Sequence, residues 1–283
     1  MFDLYIALIA ALLGLVQGIS EWLPISSKTQ VLFVSSIFLG MGFAQGYALG
    51  LFLEGGTVLA AVIYFRREIW QILLVLVGKG TRRDFMMLRC VAIVTIITAI
   101  IAVPLYILIT ATVTGPSLGI PMLILGVLLL VDGLVVKLSQ RRSAPTKTVE
   151  TMGWKDLFCL GVAQGISVLP GVSRSGAAES TLLFLNTKPD EAFRIAFIAG
   201  IPVTLGASAV TLLFSPEKLA TAVSAITVPG IFIAWAVAIL VSIFLIQRLI
   251  KFAGSNRITT IVFVLAAIAI AAGIITIITG FKG

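Results

Sequence analysis

The chain reads as an all-α polytopic membrane protein, with six transmembrane helices plus two re-entrant helical hairpins arranged as an inverted-topology repeat. Three observations predict this. Of 283 residues, 59% are apolar and 11% charged, and the mean hydropathy is +1.16, a balance incompatible with a water-soluble domain. The stretch Gly14-Leu15-Val16-Gln17-Gly18-Ile19-Ser20 recurs as Gly161-Val162-Ala163-Gln164-Gly165-Ile166-Ser167, and each copy runs on into Leu-Pro, a serine and a cation. Basic residues collect in alternate connections between apolar windows, the pattern of loops retained on the cytoplasmic side.

Windows of about 20 apolar residues, enough to cross roughly 30 Å of hydrocarbon, lie at about 46–65, 90–111, 119–136, 192–214, 229–247 and 258–279. Met1 to Ser20 has neither a basic n-region nor a small-residue cleavage site followed by a soluble domain, so it is read as part of the mature fold. A single membrane domain over 1–283 is expected, with repeat one at about 1–136, repeat two at about 155–279 and a cytoplasmic basic loop at 137–154 joining them.

Arg66, Arg67, Lys79, Arg82, Arg83 and Arg89 share one connection, Lys137, Arg141, Arg142, Lys147 and Lys155 a second, and Arg248, Lys251 and Arg257 a third. These are expected in the cytoplasm, as topology signals near anionic headgroups rather than nucleic-acid contacts. The connections Thr112 to Leu118 and Ser215 to Pro229 carry only Lys218 and are expected outside, with both chain termini. Trp70 to Val77 is apolar but too short to span, and is expected as a short helix on the interface. Cys90 and Cys159 lie in apolar stretches of a chain with no histidine, so buried structural thiols are expected, not a disulfide framework or a zinc site.

Parity of the spans requires the segments at about 1–43 and 155–189 each to dip into the membrane and return. Gly18 and Pro24 break the first, and Gly165, Pro170, Gly171 and Gly176 the second. An inverted repeat then sets the two broken segments against each other near the midplane, where non-helical backbone survives only if buried or lining a wet cavity. The repeat extends weakly into the next span, Phe52, Gly55 and Val58 matching Phe197, Gly200 and Val203.

The broken segments carry the chemistry. Aligned through Leu23-Pro24 and Leu169-Pro170, Ser27 corresponds to Ser173, Lys28 to Arg174 and Thr29 to Ser175. Charges at this depth are tied to a partner or a polar substrate. Arg174 offers a planar fork of donors, Ser173 and Ser175 two hydroxyls, and Gly171 and Gly176 close backbone approach, which are the requirements of a phosphate site, strengthened if a helix resumes at Gly176 with its N-terminus facing the anion. A purely structural alternative pairs Arg174 with Glu179 or Glu21, and Glu21 with Lys28.

Gln17 to Glu21, Pro24-Ile25-Ser26-Ser27 and Pro170-Gly171-Val172-Ser173-Arg174-Ser175-Gly176 together resemble the undecaprenyl-diphosphate phosphatase family, also called the bacitracin-resistance proteins. The resemblance covers nearly the whole chain in topology. It implies an integral enzyme of the cell membrane that hydrolyses the terminal phosphate of a polyprenyl diphosphate, regenerating the monophosphate carrier for cell-surface glycan assembly. It also implies that Glu21, Ser27, Ser173, Arg174 and Ser175 are site positions.

The chain departs from that pattern in places. Ser26-Ser27-Lys28-Thr29-Gln30 stands where Ser-Ser-Thr-Gly-His is usual, Ala178 where a threonine closes the second motif, followed by an unusual Glu179, and Glu54 where an amide is expected. These departures resemble a divergent, archaeal branch acting on a lipid such as dolichyl diphosphate.

On this reading Arg174 and Lys28 neutralise phosphate oxygens, Lys28 offsetting the lost histidine. Ser27 is the candidate nucleophile with Glu21 as base, and water activated by Glu21 is equally open. Gln17 and Gln30 orient phosphate or water, and Ser26, Ser173 and Ser175 complete the phosphate contacts with Gly171 and Gly176. The lipid tail leaves between spans, among the membrane lipids. A divalent cation, Mg²⁺ or Ca²⁺, is expected only as a companion of the diphosphate, because the few acids form no recognisable all-protein cage. A homodimer stays open. The competing classes are a polyprenyl-phosphate flippase, which needs the cations but no nucleophile, and an accessory membrane protein without activity.

Overall fold

The computed structural model describes residues 3–112, 119–139, 145–251 and 257–279. All regular structure among them is helical: α1 (Leu4–Ser20), α2 (Ser27–Leu39), α3 (Phe43–Tyr64), α4 (Arg66–Leu74), α5 (Arg82–Thr112), α6 (Gly119–Ser139), α7 (Trp154–Ile166), α8 (Arg174–Phe184), α9 (Pro189–Phe214), α10 (Pro216–Lys251) and α11 (Arg257–Thr279). By length and composition α3, α5, α9 and α10 can each cross a membrane. Positions 113–118 of the expected outer connection, and Arg141 and Arg142 of the basic loop, lie outside the described residues.

Helix pairing exchanges partners between the halves. The first helix of each short pair packs on the long helix of the other half, α1 on α10 and α7 on α5, while α3 meets α9 and α6 meets α11. The repeated glycines explain the first two contacts. A Cβ on Gly14 would lie 2.3 Å from the Ala234 carbonyl oxygen and one on Gly18 2.9 Å from that of Ala238, both on α10. Gly161 and Gly165 stand in the same relation to Ile97 and Ile101 of α5, at 2.7 Å each. Small residues let backbones approach where lipid supplies no hydrophobic drive between helices.

Several expectations need correction. Gly18, Gly165 and Gly176 do not break helices; they sit within α1, α7 and α8, and the breaks fall at 21–26 and 167–173. Flanking packing overrides glycine's weak helix propensity. The expected connection from Ser215 to Pro229 is helical, because α10 begins at Pro216. Its interruption is at Thr227 (φ 65°, ψ 159°), whose Oγ1 accepts from Gly230 N at 3.4 Å and so caps the helix that resumes. The basic stretches are also more helical than expected: α5 starts at Arg82 and α6 runs to Ser139 through Lys137, since Lys and Arg are good helix formers whose long stems reach out of hydrocarbon. Trp70 to Val77 is α4 followed by a 3-10 turn at Val75–Val77, with Trp70, Leu76 and Val77 exposed. Cys90 is buried as expected but Cys159 is exposed, on the face of α7 turned away from its helical neighbours.

Candidate functional site: the junction of two helix breaks

Both breaks are built to meet. Gly171 adopts φ +92°, and a Cβ there would lie 2.8 Å from Leu128 Cβ, so the turn before α8 needs glycine on both counts. Its amide donates to Thr29 Oγ1 at 2.9 Å, and the Thr29 and Ser26 hydroxyls are hydrogen-bonded to each other at 2.9 Å. Ser26 itself is at φ 55°, an unusual conformation for a non-glycine residue. Leu23 O accepts from Ser175 Oγ at 3.0 Å and from Ser173 Oγ at 3.2 Å. Lys28 Nζ donates to Val172 O at 2.9 Å. Gly176 leaves only enough room for Pro24, whose Cβ would be 2.7 Å from an added methyl. The expected apposition of the broken segments is therefore observed, held by polar bonds from each to the other.

Glu21 lies at the centre and is buried. Its Oε1 accepts from Arg174 Nη2, and its Oε2 from Ser27 Oγ at 2.6 Å and Gln17 Nε2 at 2.7 Å. The second guanidinium nitrogen, Nη1, donates to Gly200 O at 3.0 Å. Burial of a carboxylate requires this degree of pairing. Arg174 thus pairs with Glu21 and not Glu179, while Lys28, the candidate partner of Glu21 in the sequence, reaches the Val172 carbonyl instead. Hydrogen bonding by Arg174, Ser27 and Gln17 occupies both oxygens of Glu21, and the Lys28 to Val172 bond ties the two breaks.

The remaining expected positions divide. Ser27 and Lys28 open α2, and Arg174 and Ser175 open α8, with Ser173 as its cap, its Oγ accepting from Gly176 N at 3.2 Å. The expected resumption of a helix is found, beginning two residues earlier, at Arg174. Gln30 turns back to Ile25 O at 3.0 Å, and Gln17 turns to Glu21, so both amides orient protein groups. A guanidinium has five N–H donors, and the two bonds named leave three of them for a ligand.

A cavity of about 120 Å³ opens beside this junction, lined by Lys28 and Arg174 together with Glu54, Gln164 and Tyr106, and walled by apolar residues of α5 and α9 such as Val103 and Val210. Sequence reasoning did not single out Gln164 or Tyr106, and read Glu54 only as a departure. Gln164 had a signal, since it is the amide of the repeated Gly-x-x-Gln-Gly motif. Among the described residues no cluster of three or more His, Cys, Asp or Glu stands where it could hold a metal. The arrangement offers a hydroxyl on a carboxylate, two cations and free amides at two helix starts, which together suit attack on an anionic phosphorus centre.

Residues 10–274 match the family model described as "Bacitracin resistance protein BacA". The chain is similar to proteins named "Undecaprenyl-diphosphatase" from Saccharolobus solfataricus, at 48% identity over 95% of this chain and 96% of the relative. It is likewise similar to those of Sulfurisphaera tokodaii, at 42% over 94% and 97%, and Pyrobaculum aerophilum, at 40% over 95% and 98%.

Proposed function

Because the chain belongs to the bacitracin resistance protein BacA family, we propose that it is a membrane phosphatase that hydrolyses a polyprenyl diphosphate of undecaprenyl or dolichyl type. The products are the monophosphate lipid carrier and inorganic phosphate, and the role is carrier recycling for cell-surface glycan synthesis. The observation that carries this reading is Ser27 Oγ hydrogen-bonded to Glu21 Oε2 at 2.6 Å, with Arg174 on the other carboxylate oxygen. The relatives' names point to hydrolysis, and nothing favours the flippase.

In the proposed reaction Ser27 Oγ attacks the terminal phosphorus while Glu21 takes the hydroxyl proton. The bond from that phosphorus to the bridging oxygen breaks, and the lipid monophosphate leaves. Arg174 holds the equatorial oxygens with its remaining donors and Lys28 adds a point charge. Glu21 passes the serine proton to the oxygen of the departing lipid monophosphate; water then cleaves the phosphoserine, Glu21 accepting the water's proton and returning it to Ser27 Oγ as inorganic phosphate is released. Ser173, Ser175, Gly171 and Gly176 keep the α8 start aimed at the phosphate, Ser26 fixes the turn before Ser27, and Gln17 and Gln30 hold Glu21 and that turn. A divalent cation such as Mg²⁺ or Ca²⁺ would enter as a companion of the diphosphate, with Glu54, which lines the cavity, as the residue that would hold it. It would supply charge neutralisation.

The same proposal takes α1–α2 and α7–α8 as re-entrant hairpins and the other long helices as six spans, in an inverted repeat in the plasma membrane with termini outside and basic loops in the cytoplasm. In support, these four helices have 17, 13, 13 and 11 residues, below the about 20 that a span needs. The test is phosphate release from a long-chain polyprenyl diphosphate by the purified protein, beside Ser27→Ala, Glu21→Gln and Arg174→Ala. Turnover lost in all three supports the proposal; lipid binding without release by the wild type refutes it.

A further inference from the structure

Gln17 and Gln164 occupy the same place in the two copies of the repeated motif, yet their side chains meet different fates. Four residues after Gln17, one helical turn on, stands Glu21, and Gln17 Nε2 bonds it at 2.7 Å. Four residues after Gln164 stands Val168, which offers no side-chain partner. Gln164 is 1% exposed, and neither the nitrogen nor the oxygen of its carboxamide has a partner among the described residues. It lines the cavity that Arg174 and Lys28 also line.

Neighbouring polar groups do not relieve it. Thr98 Oγ1 donates to Gly161 O at 3.1 Å, Ser167 Oγ to Gln164's own carbonyl at 2.6 Å, and Tyr47 OH to Val168 O. The second unpartnered group on the same cavity is the hydroxyl of Tyr106, whose ring is stacked against Tyr47. A buried amide and a buried phenol with nothing to bond are destabilising in the absence of a ligand, and both residues line the cavity that Arg174 and Lys28 also line.

We propose that Gln164 and Tyr106 form the subsite for the phosphate that stays on the lipid, the inner phosphate of the diphosphate. This rests on the phosphatase reading and deepens it. Arg174 and Ser27 take the terminal phosphate, Gln164 N–H and Tyr106 O–H donate to the inner one, and the apolar wall at Val103 and Val210 receives the first prenyl unit. The pair therefore selects a diphosphate over a phosphate monoester, and both are positioning residues.

The test uses the purified full chain in detergent with Gln164→Met, which keeps the volume and removes the hydrogen bonds, and Tyr106→Phe, which removes one hydroxyl. Each is assayed by steady-state kinetics on a farnesyl-type diphosphate and on a soluble aryl phosphate monoester, and by thermal unfolding with and without inorganic pyrophosphate. The expected result is a fall of ~10- to ~100-fold in kcat/KM for the diphosphate, the effect of losing a hydrogen bond to a charged group. It should be carried mainly by KM, with monoester hydrolysis within about twofold of wild type. Without ligand, unfolding temperatures should be unchanged or higher, and the shift given by pyrophosphate should shrink. A merely structural role predicts the reverse, lower unfolding temperatures with kcat/KM ratios unchanged, and that result overturns the proposal. If Gln164→Met does not fold, the structural role is favoured, and an unaltered Tyr106→Phe completes the refutation. A wild type that releases no phosphate but gains stability from pyrophosphate through Gln164 leaves the subsite standing and removes the phosphatase reading.

Discussion

Ser27 Oγ donates a 2.6 Å hydrogen bond to Glu21 Oε2 across the break that separates α1 from α2. The bond joins a hydroxyl to a carboxylate in a chain that contains no histidine, so the carboxylate itself is the nearest proton acceptor. If the two act as one unit, their losses do not add. Ser27→Ala, Glu21→Gln and the double variant should each reduce phosphate release by at least about 10²-fold, with the double no worse than the weaker single by more than about threefold. Steady-state phosphate release in detergent checks this.

Arg174 bridges Glu21 and Gly200 O, and its side chain is 18% exposed against 3% for that of Glu21. Removing it leaves a buried carboxylate unpaired, at about 3–5 kcal/mol. Arg174→Ala should therefore unfold at a visibly lower temperature as well as lose activity. Arg174→Lys should keep most of the stability and still lose activity, because an ammonium cannot bond both the carboxylate and a phosphate in one plane. Thermal unfolding beside turnover separates the two effects.

Glycines within helices should rank by what they touch. Gly14→Ala drives a methyl to 2.3 Å from the backbone of α10, while Gly206→Ala meets nothing within 4 Å. The first should lose about 1–3 kcal/mol by overpacking. The second should be neutral or gain a few tenths from helix propensity. Detergent unfolding curves of both variants read the difference.

Thr227 holds φ 65° and ψ 159° inside α10, a region that only glycine enters freely. Thr227→Gly should raise stability by about 1 kcal/mol, the relieved strain outweighing a 3.4 Å cap bond. A lower unfolding temperature would show that the cap dominates.

Much of this was legible in the residues because hydropathy and repetition are coarse signals that survive without coordinates. The Gly-x-x-Gln-Gly copies located both short helix pairs, and Leu-Pro followed by a serine and a cation located the breaks. What was not legible depended on tertiary contact. Whether Gly18 and Gly165 end a helix or admit a neighbour depends on Ala238 and Ile101, which are far away in sequence. The partner of Lys28 is a backbone carbonyl, Val172 O, and carbonyls carry no sequence signal. The helix at 216–226 was hidden because its polar residues read as a loop, although Pro216 and Glu217 suit a helix start. The partnerless amide of Gln164 was hidden because its difference from Gln17 rests on one residue, Val168 in place of an acid.

The most direct measurement is rapid quenching of the purified protein with a polyprenyl diphosphate labelled at its terminal phosphorus, followed by peptide mapping. The account predicts label on Ser27, formed before phosphate release and absent from Ser27→Ala. Phosphate release with no labelled serine, or sustained turnover by Ser27→Ala, would contradict it.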